Sequence, residues 1–169
     1  MLLDDFSRDD QRSALGTRWS AMSDRVMGGV SDVRATRVPS AEGDRAHLHL
    51  AGEVREVPGY GSPGFVQLGL DLNGLDATDY TGLRLVVRGD GQRYGAHLRT
   101  PDTRRPWQSW RGQFEASAEW TEVRLPFTDF QAYRIAGELD LTRLTRLSLI
   151  AVDRTGAADL RVAEVGLYR

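Results

Sequence analysis

Between Leu83 and Leu98, apolar side chains recur at every second residue on either side of a Gly-Asp-Gly step. Leu83, Leu85 and Val87 precede it, and Tyr94, Ala96 and Leu98 follow it. A period of two is the mark of a strand with one buried face, and it excludes a helix over this span. Gly89-Asp90-Gly91 is a tight-turn signal, so the segment reads as a β-hairpin. Other short stretches repeat the pattern: Leu2–Phe6, Val30–Val38, His47–Leu50, Phe65–Leu70, Trp107–Phe114, Glu119–Leu125, Leu147–Val152 and Leu160–Tyr168. In the last of these, Leu160 and Val162 fall out of step with Val165 and Leu167, which predicts a bulge near Ala163-Glu164. Single helical turns are expected around Leu75–Ala77 and Leu139–Leu144, and an irregular aromatic segment over Phe127–Tyr133. About ten short strands without a long amphipathic helix predict an all-β, two-sheet sandwich or jelly roll. Repeats, low-complexity tracts and linker-like stretches are absent, so residues 1–169 are expected to form one domain.

Composition narrows the chemistry. There is no cysteine, which removes disulfides, thiolate zinc sites and a cysteine nucleophile. All 22 basic residues are arginine, so Schiff-base chemistry and a phosphate-loop lysine are also excluded. The formal net charge of −2 offers no bulk attraction to nucleic acid or to an anionic membrane. Neither a signal-peptide pattern nor an apolar run of membrane-spanning length is present, so a cytoplasmic location without membrane insertion is expected.

The most idiosyncratic stretch is Trp19–Ser31. Asp24 and Arg25 lead into Val26 and Met27, and the Gly28-Gly29 pair follows at once. Such a pair allows positive backbone dihedrals or very close approach by another surface. It reads as a shaped loop with a hydrophobic tip, entering the first long strand. Met27 is then either an adaptable anchor for a partner or a plug at one end of the sandwich, and Asp24 either a polar contact or a turn cap.

Trp19, Asp24 and Val26-Met-Gly-Gly-Val-Ser31 together resemble the opening signature of the complex I intermediate-associated protein 30 family. Gly82-Leu-Arg84, Arg88-Gly-Asp-Gly91, Tyr94, Leu98-Arg-Thr100, Phe114, Trp120, Leu125-Pro-Phe127 and Asp129-Phe130 resemble its later motifs, in order and over nearly the whole chain. The resemblance implies a galactose-binding-domain-like jelly roll and a chaperone-like, non-enzymatic role in assembly through a protein partner. One departure stands out. Where that family usually carries an arginine after a Gly-Phe strand, this chain has Gly69.

A second candidate surface follows from alternation. If Leu83, Leu85, Val87, Tyr94, Ala96, Leu98 and Phe114 face inward, then Arg84, Arg88, His97, Arg99, Arg111 and Gln113 face outward, with Arg124 beside them. That predicts one arginine-rich face able to grip carboxylates or phosphates, with Trp107 or Trp110 at its rim to stack on a sugar. A plain solvated face is the simpler alternative. The candidate partner- or ligand-binding residues are thus Trp19, Asp24, Met27, Arg88, Arg99, Trp107, Trp110 and Arg111. Three function classes remain: an assembly-type protein-interaction domain, a module for a carbohydrate or an anionic small molecule, and an enzyme on the same scaffold. His47 and His49 share a strand face, but nothing sets His97 beside them as a third metal ligand. Asp4, Asp5 and Asp153 lack the dense acidic spacing of a calcium loop. No cofactor motif is legible, and no nucleophile elbow or catalytic constellation either.

Overall fold

The computed structural model describes residues 1–169 and contains twelve strands. These are β1 (Leu2–Asp4), β2 (Trp19–Ser23), β3 (Asp32–Val38), β4 (His47–Val54), β5 (Val66–Leu75), β6 (Gly82–Gly89), β7 (Arg93–Arg99), β8 (Ser109–Glu115), β9 (Thr121–Pro126), β10 (Gln131–Tyr133), β11 (Leu144–Ala151) and β12 (Gly156–Tyr168). They form two antiparallel sheets. The first runs β3-β4-β12-β6-β9, with β1 also on β12, and the second runs β10-β8-β7-β11-β5-β2. The fold is a jelly-roll sandwich, and one continuous cluster of buried side chains fills the space between the sheets. No helix is long and apolar enough to cross a membrane.

Alternation sorts side chains as expected. Leu83, Leu85 and Val87 of β6 meet Tyr94, Ala96 and Leu98 of β7 in the core. The connection between them differs from the expectation, however. β6 pairs with β12 and β9, while β7 pairs with β11 and β8. Gly89–Gly91 is therefore a crossover between sheets, not a hairpin turn. Gly91 takes φ +78° there, and the turn is tied to Ala116 and Ser117 by backbone hydrogen bonds. Nothing in a period-two pattern tells a hairpin from a crossover, because both reverse the chain and both face the core.

Two strands lie outside the predicted set. β2 is an edge strand on β5, in a stretch where Trp19-Ser-Ala-Met-Ser carries little apolar alternation. β10 is a three-residue edge strand on β8, with all three residues exposed. The helical turns expected near Leu75 and Leu139–Leu144 are absent. β5 continues to Leu75, and β11 already begins at Leu144. The bulge in β12 is present, as a register shift between Val162 and Glu164.

Candidate functional site

The Trp19–Ser31 stretch folds around one buried carboxylate. Asp24 starts a 3₁₀ turn over Asp24–Met27, with the Ser23 hydroxyl accepting from the Arg25 N–H and Gly28 closing the turn at φ +83°. The Asp24 carboxylate accepts from the Ser31 N–H at 2.9 Å, from the Ser31 hydroxyl and from the Phe65 N–H at 3.0 Å. Side chains at Gly29 or Gly64 would collide with it, which is why those positions are glycine. Asp24 is thus a structural anchor, not a contact for a partner. Met27 does not plug the sandwich: it is 66% exposed, and Val26 beside it is 67% exposed. Trp19 leans on the core, 6.0 Å from the Phe6 ring, and its indole N–H donates to Asp4 at 3.0 Å.

The predicted arginine face does not exist as one surface. Because β6 and β7 belong to opposite sheets, Arg84, Arg88 and Arg124 lie on the outside of the first, and His97, Arg99 and Arg111 on the outside of the second. On the first sheet, arginines face arginines and carboxylates bridge them. Arg84 stands directly opposite Arg124, and Glu122 accepts from Arg84 at 2.9 Å and from Arg124 at 2.7 Å. Glu164 takes a further bond from Arg84 at 2.7 Å. Arg88 stands opposite Arg161; Asp44 pairs with the first at 2.9 Å and Asp159 with the second at 3.2 Å. Arg88 also lies 4.6 Å from the centre of the Trp120 ring, whose N–H donates to Asp44. Hydrogen bonds from Trp120 and Arg45, with the Arg88 charge, hold Asp44 below its ordinary range, and those from Arg124 and Arg84 do the same for Glu122. Arg88 is therefore already occupied.

The second sheet is different. Its outward central row runs Ser20, Gly69, Ser148, His97, Arg111, Gln131 across the strands, and Gly69, Ser148 and His97 are buried although no further layer covers them. The row is the floor of a trough. Arg146 of β11 stands directly opposite Arg99 of β7 on one side of that row. The Arg146 guanidinium lies over Gly69, where any side chain would collide with it, and its Nη2 is buried without an acceptor. A guanidinium thus does sit above position 69, supplied by the neighbouring strand. Arg99 is fixed by its own loop: Nε donates to the Thr103 hydroxyl at 3.2 Å, and Nη2 to the carbonyls of Thr103 and Arg105, both at 3.0 Å. Burial first, then the Arg146 charge, lowers the Arg99 pKa. Arg111 donates to the Ser109 hydroxyl at 3.1 Å and stacks 3.5 Å from the Tyr133 ring centre. Burial lowers its pKa too, with Asp153 nearby acting the other way. His97, 8% exposed, is pushed down to about 3 by burial and then by Arg111, so it is neutral at ordinary pH. Beside His97 and Arg111 a cleft of about 240 Å³ opens, with Tyr94 and Asp153 in its walls.

Of the residues singled out from sequence, the structure brings Arg99 and Arg111 together on the second face. Trp107 stands on the loop that Arg99 holds and is 49% exposed. Trp110 does not join it: its side chain points inward from β8 and is buried in the core. His97 is on the opposite side of the sandwich from His47 and His49, so the three cannot converge. His49 binds Asp159 at 2.8 Å, and His47 binds the Arg45 carbonyl at 2.8 Å. Arg146, Ser148 and Tyr133 were missed. The first two were within reach, because inward Leu147 and Leu149 place their neighbours outward. Tyr133 belongs to an edge strand too short for a period to register.

Fold and site together define a jelly-roll β-sandwich domain with an open trough on one sheet. The family model of Complex I intermediate-associated protein 30 (CIA30) matches residues 5–162. The chain belongs to that family. A sequence comparison with curated proteins finds no match. Among solved structures, it is similar to the family 11 carbohydrate-binding module of the cellulosomal cellulase Lic26A-Cel5E of Clostridium thermocellum, with TM-score 0.74 and 14% identity over 99% of this chain and 93% of that one. A family 11 module from the same organism, in complex with a β-1,3-1,4-mixed-linked tetrasaccharide, gives TM-score 0.72 and 15% identity over 99% and 94%. A family 30 module of a cellulosomal cellulase of Clostridium thermocellum gives 0.53 and 15% over 79% and 81%. At these identities the likeness is one of fold.

Proposed function

We propose that this chain is a non-enzymatic, assembly-factor-like docking domain that holds a protein partner on the outer face of the second sheet. One observation carries the reading. The four arginines of β6, β9 and β12 on the first face, Arg84, Arg88, Arg124 and Arg161, all have carboxylate partners, whereas Arg99, Arg111 and Arg146 on the second face make no ion pair. Among carboxylates only the nearby Asp153 acts on Arg111, and Arg99 and Arg146 have no ion-pair partner, so this recessed surface is suited to an acidic segment supplied from outside. Membership of a family described as intermediate-associated supports association with another protein. His97 is a poor proton acceptor at neutral pH with a pKa of about 3, which argues against acid–base chemistry in the trough.

Cross-linking from the trough in cell extract is the direct test. A photoreactive residue in place of Gln113, on the second face, should capture a protein that one in place of Thr36, on the first sheet, does not. Equal capture from both positions would sink the reading. A second reading, recognition of a sugar, has specific support in the exposed Trp107 and in Tyr133 stacked under Arg111, since aromatic faces suit sugar rings. Titration with a mixed-linked β-glucan tetrasaccharide separates the two. Shifts confined to Trp107, Tyr133 and their neighbours would favour the sugar.

A further inference from the structure

Three pairs of arginines stand directly opposite one another across adjacent strands: Arg84 with Arg124, Arg88 with Arg161, and Arg99 with Arg146. Like charges in such positions repel, and each pair needs an anion to be tolerated well. Glu122 bridges the first, and Asp44 and Asp159 serve the second. The third has no such partner. Asp71 is opposite Arg146 on β5, but its carboxylate accepts from the Asn73 N–H at 2.7 Å and makes no ion pair with the arginine. A buried donor without an acceptor is rare in a native structure and calls for an explanation, and Arg146 Nη2 is one.

We infer that Arg99 and Arg146 form a carboxylate subsite, in which a ligand carboxylate takes the place that Glu122 takes between Arg84 and Arg124. This rests on the second face being the binding surface. The loop carbonyls that hold Arg99 leave its Nη1 without a role in the fold. Arg146 stands opposite Arg99 with its Nη2 over Gly69, and its charge acts on Arg99. Its Nε and Nη1 make no hydrogen bond in the fold, so a carboxylate with two oxygens can bridge those nitrogens and Arg99 Nη1 with charge-assisted bonds. Ser148, next but one to Arg146 and outward on the same strand, floors the space with a hydroxyl. The subsite flanks the trough floor at the middle strands, β11 and β7, and Arg111 with Tyr133 lies toward the β10 edge.

The test uses the whole chain with three probes: a hexaglutamate peptide, a hexagalacturonate and an uncharged cellohexaose. Binding is followed by calorimetry and by the shifts of the arginine Nε–H signals. The expected result is that a carboxylate probe binds, moves the Arg99 and Arg146 signals, and binds at least about ten-fold more weakly to Arg146→Met. Arg146→Lys should recover part of the loss, and Arg124→Met, on the first face, should bind like the parent. Which of the two acidic probes binds tells a peptide source from a uronic acid. The ligand-free Arg146→Met protein should melt at or above the parent temperature, because an unpaired cation has been replaced by a chain of similar length. If that variant melts lower and binds the acidic probes unchanged, Arg146 is packing over Gly69 and the subsite is wrong. If only cellohexaose binds on this face, the subsite fails while the binding face stands. If no probe moves any residue of the trough, the reading of the face fails with it.

Discussion

On the first sheet, Glu122 reaches two arginines that the register sets face to face; on the second, Arg99 and Arg146 face each other in the same way with no carboxylate between them. Both faces belong to one sandwich and use the same cation, so residue type does not separate them. What separates them is the neighbouring strand. β9 brings Glu122, β12 brings Glu164 and Asp159, and the β3–β4 connection brings Asp44. β5 and β11 bring Gly69, Ser148 and an Asp71 that is turned away. A face whose charges are closed by its own strands is a stable exterior. A face whose like charges are left open costs stability unless an anion closes them.

Acid should separate the faces most strongly. The folded chain keeps His97 neutral down to about pH 3, whereas the unfolded chain protonates it near 6.5. Between those values the unfolded state binds more protons, so stability should fall with falling pH by about 1.4 kcal/mol per unit, and not change on this account above 6.5. Urea titrations of the parent and of His97→Asn should differ in that slope; equal slopes would mean that His97 is hydrated. The carboxylates of the first face, held below their ordinary range, enter only at lower pH.

Ser148→Asp would give the second face the carboxylate it lacks, two residues along β11 from Arg146 and diagonal to Arg99. Denaturant unfolding at neutral pH should show a gain of about 1 kcal/mol. Calorimetry should show weaker binding of the hexaglutamate peptide. A loss of stability would mean that burial of the new charge outweighs its pairing.

The converse change, Glu122→Gln, opens the first face. It should lower the melting temperature by less than Ser148→Asp raises it, since these side chains are more exposed and water screens them. Arg84 keeps Glu164 in either case. A fall as large as that of a core substitution would show the network to be structural in a way its exposure does not suggest.

Salt should give the smallest effect, with opposite signs on the two faces. Screening weakens the attraction around Glu122 and relieves the repulsion between Arg99 and Arg146. Melting curves over a sodium chloride series should show less salt-induced stabilisation for Arg146→Met than for the parent. They should show more for Glu122→Gln.

Alternation along the chain was enough to say which side chains turn inward on β6, β7, β8 and β12, because the pleat repeats every two residues whatever the strand pairs with. The glycines around Asp24 were legible as a shaped loop, since only a missing Cβ admits that carboxylate at Gly29 and Gly64. Which sheet each strand joins was not legible. Gly89–Gly91 looks the same whether it turns a hairpin or crosses the sandwich, and that one choice divides a supposed arginine face into two. The burial of Trp110 follows from the same alternation, since it shares the parity of inward Phe114, and placing it at the rim overrode that pattern. The exposure of Met27 and the open pair at Arg99 and Arg146 depend on contacts between residues far apart in sequence. The chain by itself determined which residues leave the core. Only the tertiary structure decided what meets them outside it, because a charge is closed or left open by its neighbour in space, and register sets that neighbour.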